Sequence, residues 1–183
     1  MAYTSDNVRV LRTGTWYVAP TGTAAPTDAT TALNAAFVDL GGVGEDGTTE
    51  ERERDTEQIR YDNGDLAREV VTESAFTLNA TLIETTRAGL ELYYGATGTV
   101  VATDQLQINV DPGSTGGRKS FVFQVVDGLY IVRTYIPEGE ITEVGELVFV
   151  NDEPWGYEIT VTGYKPSGQT YSAQKFYDGL TLA

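Results

Sequence analysis

The sequence predicts a mainly β fold, a β-sandwich or half-open barrel with one short flanking α-helix and one long charged loop or hairpin. Three observations carry this. Phe76, Leu78, Ala80 and Leu82 alternate strictly with Thr77, Asn79 and Thr81, the pattern of a strand with one buried and one wet face. The hydrophobic period then changes: Leu90, Tyr93 and Tyr94 form a helical stripe over about residues 86–94, and Gly95 suits a left-handed position just past a helix end. The rest of the chain is short apolar-alternating runs separated by turn signals, which points to an all-β sandwich or barrel.

Element by element, Val8 to Ala19 reads as a first strand with Trp16 and Val18 set against Tyr17. Pro20 to Thr31 is a loop, either a plain surface connection or an arm touching a neighbouring subunit. Phe37, Asp39 and Leu40 lead into Gly41-Gly42. A polar segment follows at about 43–57, and from Glu45 to Glu57 seven of thirteen residues are acidic, interrupted by Arg52 and Arg54. Such a stretch cannot feed a core and reads as a solvated face or loop. Asn63-Gly64 is a hairpin signal, and a type I′ turn there would set Tyr61 opposite Leu66 and Ile59 opposite Arg68. Asp62 and Asp65 read as turn residues, because their spacing lacks the oxygen ladder of a calcium loop.

In the second half, Leu106, Ile108 and Val110 alternate, Asp111 to Gly117 makes a turn-rich tip, and Phe121, Phe123 and Val125 form the next apolar face. Asp127-Gly128 is a second hairpin signal. Tyr130, Val132 and Thr134 follow, Pro137-Glu-Gly139 is expected to turn the chain, and Leu147 to Val150 to form a short strand. Trp155, Tyr157, Ile159 and Val161 make the last clear apolar face. The segment 165–183 is either a frayed end or an arm whose aromatics serve a neighbour. The whole chain, 1–183, is expected to be a single domain.

Composition narrows function. The 183 residues hold neither cysteine nor histidine, which removes disulfides, thiol chemistry, the Ser-His-Asp triad and the commonest zinc ligand together. No P-loop, dinucleotide-binding fingerprint, HExxH or GxSxG pattern occurs. The expectation is a protein that is not an enzyme and carries no cofactor or metal. A pair of carboxylates acting as a hydrolase remains as a weaker possibility. A net charge of −15 argues against a binder of the nucleic-acid backbone. Without a long apolar run or a basic-apolar leader, the chain is expected to be soluble and made in the cytoplasm.

Several segments, in order, resemble the major tail tube proteins of long-tailed bacteriophages. Gly14-Thr-Trp-Tyr-Val-Ala-Pro-Thr-Gly-Thr-Ala-Ala-Pro-Thr-Asp28 is similar to their first strand and proline-bearing loop, and Phe37-Val-Asp-Leu-Gly-Gly-Val-Gly-Glu-Asp-Gly-Thr48 to their short strand and Glu-Asp-Gly turn. The charged segment ending at Asp62-Asn-Gly-Asp65 follows, then the strand and helix at 73–95. The match is close over the first half and rests on strand pattern in the second.

That resemblance implies a structural virion subunit, assembled in the host cytoplasm, whose six-membered rings stack into a hollow tube for DNA. Partners would be further copies of the chain, a tape measure protein and a tail terminator, with DNA passing unbound and no membrane contact. Glu45, Asp46, Glu50, Glu51, Arg52, Glu53, Arg54, Asp55 and Glu57 would then form a polar contact between rings. Thr77, Asn79 and Thr81 would face the lumen, and Tyr171, Phe176 and Tyr177 would belong to an inter-subunit arm. The alternative is a monomeric β-sandwich binding module of carbohydrate-binding or adhesin type, with Trp16, Trp155 and Tyr157 as a sugar platform.

Overall fold

Alternation decides where the strands lie in the structure, a computed structural model in which residues 8–180 are described. Nine strands and one helix follow one another among these residues: β1 (Thr13–Pro20), β2 (Val38–Arg60), β3 (Leu66–Leu82), α1 (Arg87–Tyr93), β4 (Thr99–Ala102), β5 (Gln105–Gln107), β6 (Lys119–Asp127), β7 (Tyr130–Val144), β8 (Tyr157–Tyr164) and β9 (Gln174–Tyr177). Seven strands form one antiparallel sheet in the order β6-β1-β2-β3-β8-β7-β9, and β6 also pairs with β7. That extra pairing closes β1, β2, β3, β8, β7 and β6 into a ring, which removes most free edges. β4 and β5 form a separate small hairpin.

The inward-facing residues are those the alternation selects. Phe76, Leu78, Ala80 and Leu82 of β3 are buried against Ile159, Val161 and Tyr157 of β8, Phe121 and Phe123 of β6, and Trp16 and Leu40. Trp16 is wholly enclosed, lies 5.5 Å from Phe123 and 6.5 Å from Phe121 by ring centroids, and donates its indole N–H to Thr48 Oγ1 at 3.0 Å.

Helix α1 has both ends marked in the sequence. Thr86 is the N-cap, its hydroxyl oxygen accepting the Gly89 N–H at 3.0 Å. At the other end Gly95 N–H donates to Leu92 O and Ala96 N–H to Glu91 O, with Gly95 at φ +58°, a Schellman closure. A Cβ on Gly95 would stand 2.3 Å from the Ser114 carbonyl oxygen. Gly95→Ala therefore combines left-handed strain with a backbone clash, and is expected to cost at least about 1–2 kcal/mol. In a thermal melt this is a fall of about 2–8 °C.

Four expectations are corrected. The β2–β3 turn is not type I′. Asn63 is not left-handed, only Gly64 is (φ +88°), and Tyr61 N–H donates to Asp65 O while Gly64 N–H donates to Tyr61 O. This is a three-residue loop with a glycine bulge. Ile59 does sit opposite Arg68, but Arg60, not Tyr61, faces Leu66. Pro137-Glu-Gly139 does not turn the chain, because β7 runs straight through it. Along one edge β7 pairs with β9 up to Tyr135 and with β8 from Glu138. Pro137, which has no N–H to offer a ladder, falls in the gap between the two partners. Leu147 to Val150 is not a strand, and Val148, Phe149 and Val150 are exposed. Around Leu106 only Gln105–Gln107 is extended in a ladder, against β4.

The loop from Pro20 to Thr31 is tied down by a buried cation. Arg133 on β7 donates through Nη1 to the carbonyls of Asp28 (2.8 Å) and Thr31 (2.9 Å), and through Nε and Nη2 to Gln124 Oε1. Burial pulls its pKa below the usual arginine value, opposed by Asp28. Asp28 is itself held far below the usual carboxylate range, chiefly by the Thr31 hydroxyl and the amides of Thr31 and Thr30. Arg133→Met keeps the packing but strands three acceptors. A loss of about 1–3 kcal/mol is expected in urea unfolding, with loop amides 28–31 losing hydrogen-exchange protection first.

Candidate interaction surfaces

The charged stretch 45–57 is neither loop nor core. It is the outer part of β2, paired residue by residue with β3: Glu51 faces Thr77, Arg52 faces Phe76, Glu53 faces Ala75, Arg54 faces Ser74 and Asp55 faces Glu73. Of the loop, hairpin or solvated face that the sequence allowed for this stretch, that ladder makes it an exposed hairpin arm. Backbone hydrogen bonding, for which side-chain polarity is irrelevant, holds it as a ribbon wetted on both faces.

Because side chains alternate, the mixed charge sequence separates by face. Glu51, Glu53 and Asp55 share the face of Thr77, while Glu50, Arg52 and Arg54 share the face of Leu78 and Phe76. Glu45 and Asp46 lie where the register shifts between Val43 and Thr48, and Glu57 follows a second shift after Asp55. The expected inter-ring residues therefore divide between two surfaces of opposite character.

The first surface is polar and acidic. Thr77, Asn79 and Thr81 face Thr162, Thr160 and Glu158 of β8, and these in turn continue to Glu140 and Glu143 of β7. Asn79 Nδ2 donates to Glu158 Oε1 (3.0 Å) and Thr160 Oγ1 (2.9 Å), and the Thr142 and Thr162 hydroxyls are 2.8 Å apart. No lysine or arginine occupies any of these positions. The hydroxyl–amide network fixes the side chains, and Glu51, Glu140, Glu143 and Glu158 give the face its charge.

The second surface is a groove of about 770 Å³ between the β2–β3 ribbon and the chain around Tyr164 to Tyr177. Arg52, Arg54, Lys165 and Lys175 border it with only Glu50 and Glu53 as counter-charges. Lys175 pairs with Glu50. Among the described residues, Arg52, Arg54 and Lys165 meet no carboxylate. Phe76, Tyr164, Tyr171 and Ala173 supply apolar lining.

The residues of the expected inter-subunit arm fall in two places. Phe176 and Tyr177 belong to β9 and pair with Arg133 and Val132 of β7, because β7 has a free edge there that takes a strand. Tyr171 lines the groove. Residues 181–183 of that arm lie outside the described residues.

Sequence reading did not find the groove, because Lys165 and Lys175 meet Arg52 and Arg54 only through strand pairing. It also took Leu147 to Val150 for a strand and counted Trp155 with the next apolar face, whereas Phe149 and Trp155 stack edge to face at 5.0 Å while 64% and 46% exposed. The polar Asn151-Asp152-Glu153-Pro154 run between two large apolar residues was the available signal. Trp16 and Tyr157 are both buried, so the three aromatics of a sugar platform do not share a surface. Among the described residues no group of three or more acids is placed to hold a metal ion, and no helix is long and apolar enough to cross a membrane.

A family model described as phage tail tube protein matches residues 1–176. The chain belongs to the phage tail tube protein family. No curated protein sequence matches it. Among solved structures, this tail tube family member is similar in fold to a chain of the PVC sheath–tube complex of an extracellular contractile injection system in its extended state. The TM-score there is 0.52 at 8% identity, over 96% of this chain and 98% of that one. A chain of the anti-feeding prophage cap, which terminates the AFP tube, aligns over the same shares at 13% identity and TM-score 0.49.

Proposed function

We propose that this tail tube family member is a non-enzymatic subunit whose six-membered rings stack into the hollow tail tube of a phage particle. The match of the family model along nearly the whole chain carries this reading. In it, DNA travels through the tube unbound, assembly takes place in the host cytoplasm, and the tape measure and tail terminator proteins meet the same subunit. The acidic face, with Thr77, Asn79 and Thr81, lines the lumen. Carboxylates beside a phosphate backbone raise its energy near the wall, over a screening distance of roughly 8 Å at physiological salt. The β2–β3 ribbon, with Glu45 to Glu57, contacts an adjacent ring. Tyr171, Phe176 and Tyr177 lie near a neighbouring subunit.

Negative-stain microscopy of concentrated protein tests the proposal. Hollow rings or tubes with six-fold end views are expected. A protein that stays monomeric by light scattering at high concentration, with or without an initiating tail complex, would count decisively against it.

A further inference from the structure

We infer that the basic groove beside the β2–β3 ribbon receives the 145–156 loop of a second copy of this chain. The inference deepens the self-assembly reading and rests on it. Two unexplained surfaces of the molecule are complementary. The groove carries Arg52, Arg54 and Lys165 without carboxylate partners among the described residues, above an aromatic lining of Phe76, Tyr164 and Tyr171. The loop carries Glu146, Asp152 and Glu153 and no cation, and it holds Phe149 and Trp155 out into solvent as a stacked pair. A chain of net charge −15 that gathers four of its twelve cations around one groove has concentrated them against its own overall charge. An acidic partner segment is what such a groove attracts, and charge pairs of this kind set orientation and partner choice.

The two surfaces cannot meet within one molecule. The groove borders the Tyr164 end of β8, and the loop enters β8 at Tyr157. Seven residues of extended chain, roughly 23 Å, separate them. The contact is therefore heterologous: groove of one copy to loop of the next, leaving a free groove and a free loop at the two ends. Such contacts propagate into rings or filaments instead of stopping at a pair. Burying the Phe149–Trp155 pair on the aromatic lining supplies the apolar centre of the interface, and the charges form its rim.

The absence of cysteine makes the test clean. Asn151→Cys and Ser172→Cys place one thiol on the loop and one in the groove. The doubly substituted chain, assembled and mildly oxidised, is expected to give a ladder of covalent multimers on a denaturing gel. Each single variant alone is expected to stay monomeric there, and their mixture to give a dimer. In parallel, Asp152→Arg with Glu153→Arg should raise the protein concentration needed for assembly by roughly tenfold to a hundredfold, and adding Arg52→Glu with Arg54→Glu to the same chain should restore it. Assembly of the loop variant at the wild-type concentration, or assembled double-cysteine protein without a ladder, overturns the groove–loop contact and leaves self-assembly standing. Wild-type protein that never assembles overturns both.

Discussion

Trp16→Ala is expected to remove about 3–5 kcal/mol of stability, a large part of the roughly 5–15 kcal/mol that a domain of this kind possesses. Trp16 is fully enclosed, touches Phe121 and Phe123 across the β1–β6 ladder, and spends its indole N–H on Thr48 of β2. One side chain thus joins three strands of the closed ring. Truncation leaves a cavity bounded by two phenyl rings that the ladders hold in place, so little of it can collapse. Urea or guanidinium unfolding measures the loss, with Trp155→Ala as the matched control. Trp155 is 46% exposed, and its truncation is expected to change the monomer by no more than about 0.5 kcal/mol. Equal effects of the two substitutions would contradict the core described here.

The second large effect concerns the acidic face. Replacing Glu51, Glu140 and Glu158 with lysine turns a run of carboxylates along β2, β7 and β8 into a run of cations, beside hydroxyls that tolerate either sign. On the lumen reading, particles built with this variant should eject DNA slower by on the order of tenfold or more, because each lysine can release counterions from a passing phosphate. The retardation should fade as salt rises, steeply if several phosphates are engaged at once. Ejection timed by dye entry into the released DNA reads this out. The same substitutions on an outward face would leave the ejection rate unchanged, since DNA in the tube would never meet them. Normal ejection from morphologically normal particles would therefore remove this face from the lumen.

What was legible in the sequence was what local chemistry decides. The Phe76 to Leu82 alternation and the Gly95 closure are each written within a few residues, and the structure places both as read. What failed depends on neighbours distant in sequence. Pro137 looks like a turn until β8 and β9 are seen to share one edge of β7 on either side of it. Leu147 to Val150 has strand composition, yet it pairs with no other strand in the structure. For Glu45 to Glu57 the sequence left loop and hairpin open, because a loop and a two-sided wet ribbon have the same composition; only the partner strand β3 decides for the hairpin. The groove was invisible for the same reason. Its cations come from 52–54 and 165–175, and nothing in either segment names the other.

The closing of the strand ring also sets a clock on the molecule's birth. β1 pairs with β6 from Thr13 opposite Val126 to Pro20 opposite Lys119, so β1 must wait for a strand about a hundred residues behind it. At a synthesis rate of roughly 5–20 residues per second that wait is on the order of 5–20 s. Throughout it Trp16 and Val18 have no permanent place, whereas the β2–β3 ribbon needs only its own turn and can form early. The nascent chain thus shows its polar ribbon first and hides its apolar strand last. Translation speed between β1 and β6, or a chaperone that shields β1 meanwhile, becomes a control on how much subunit reaches assembly at all.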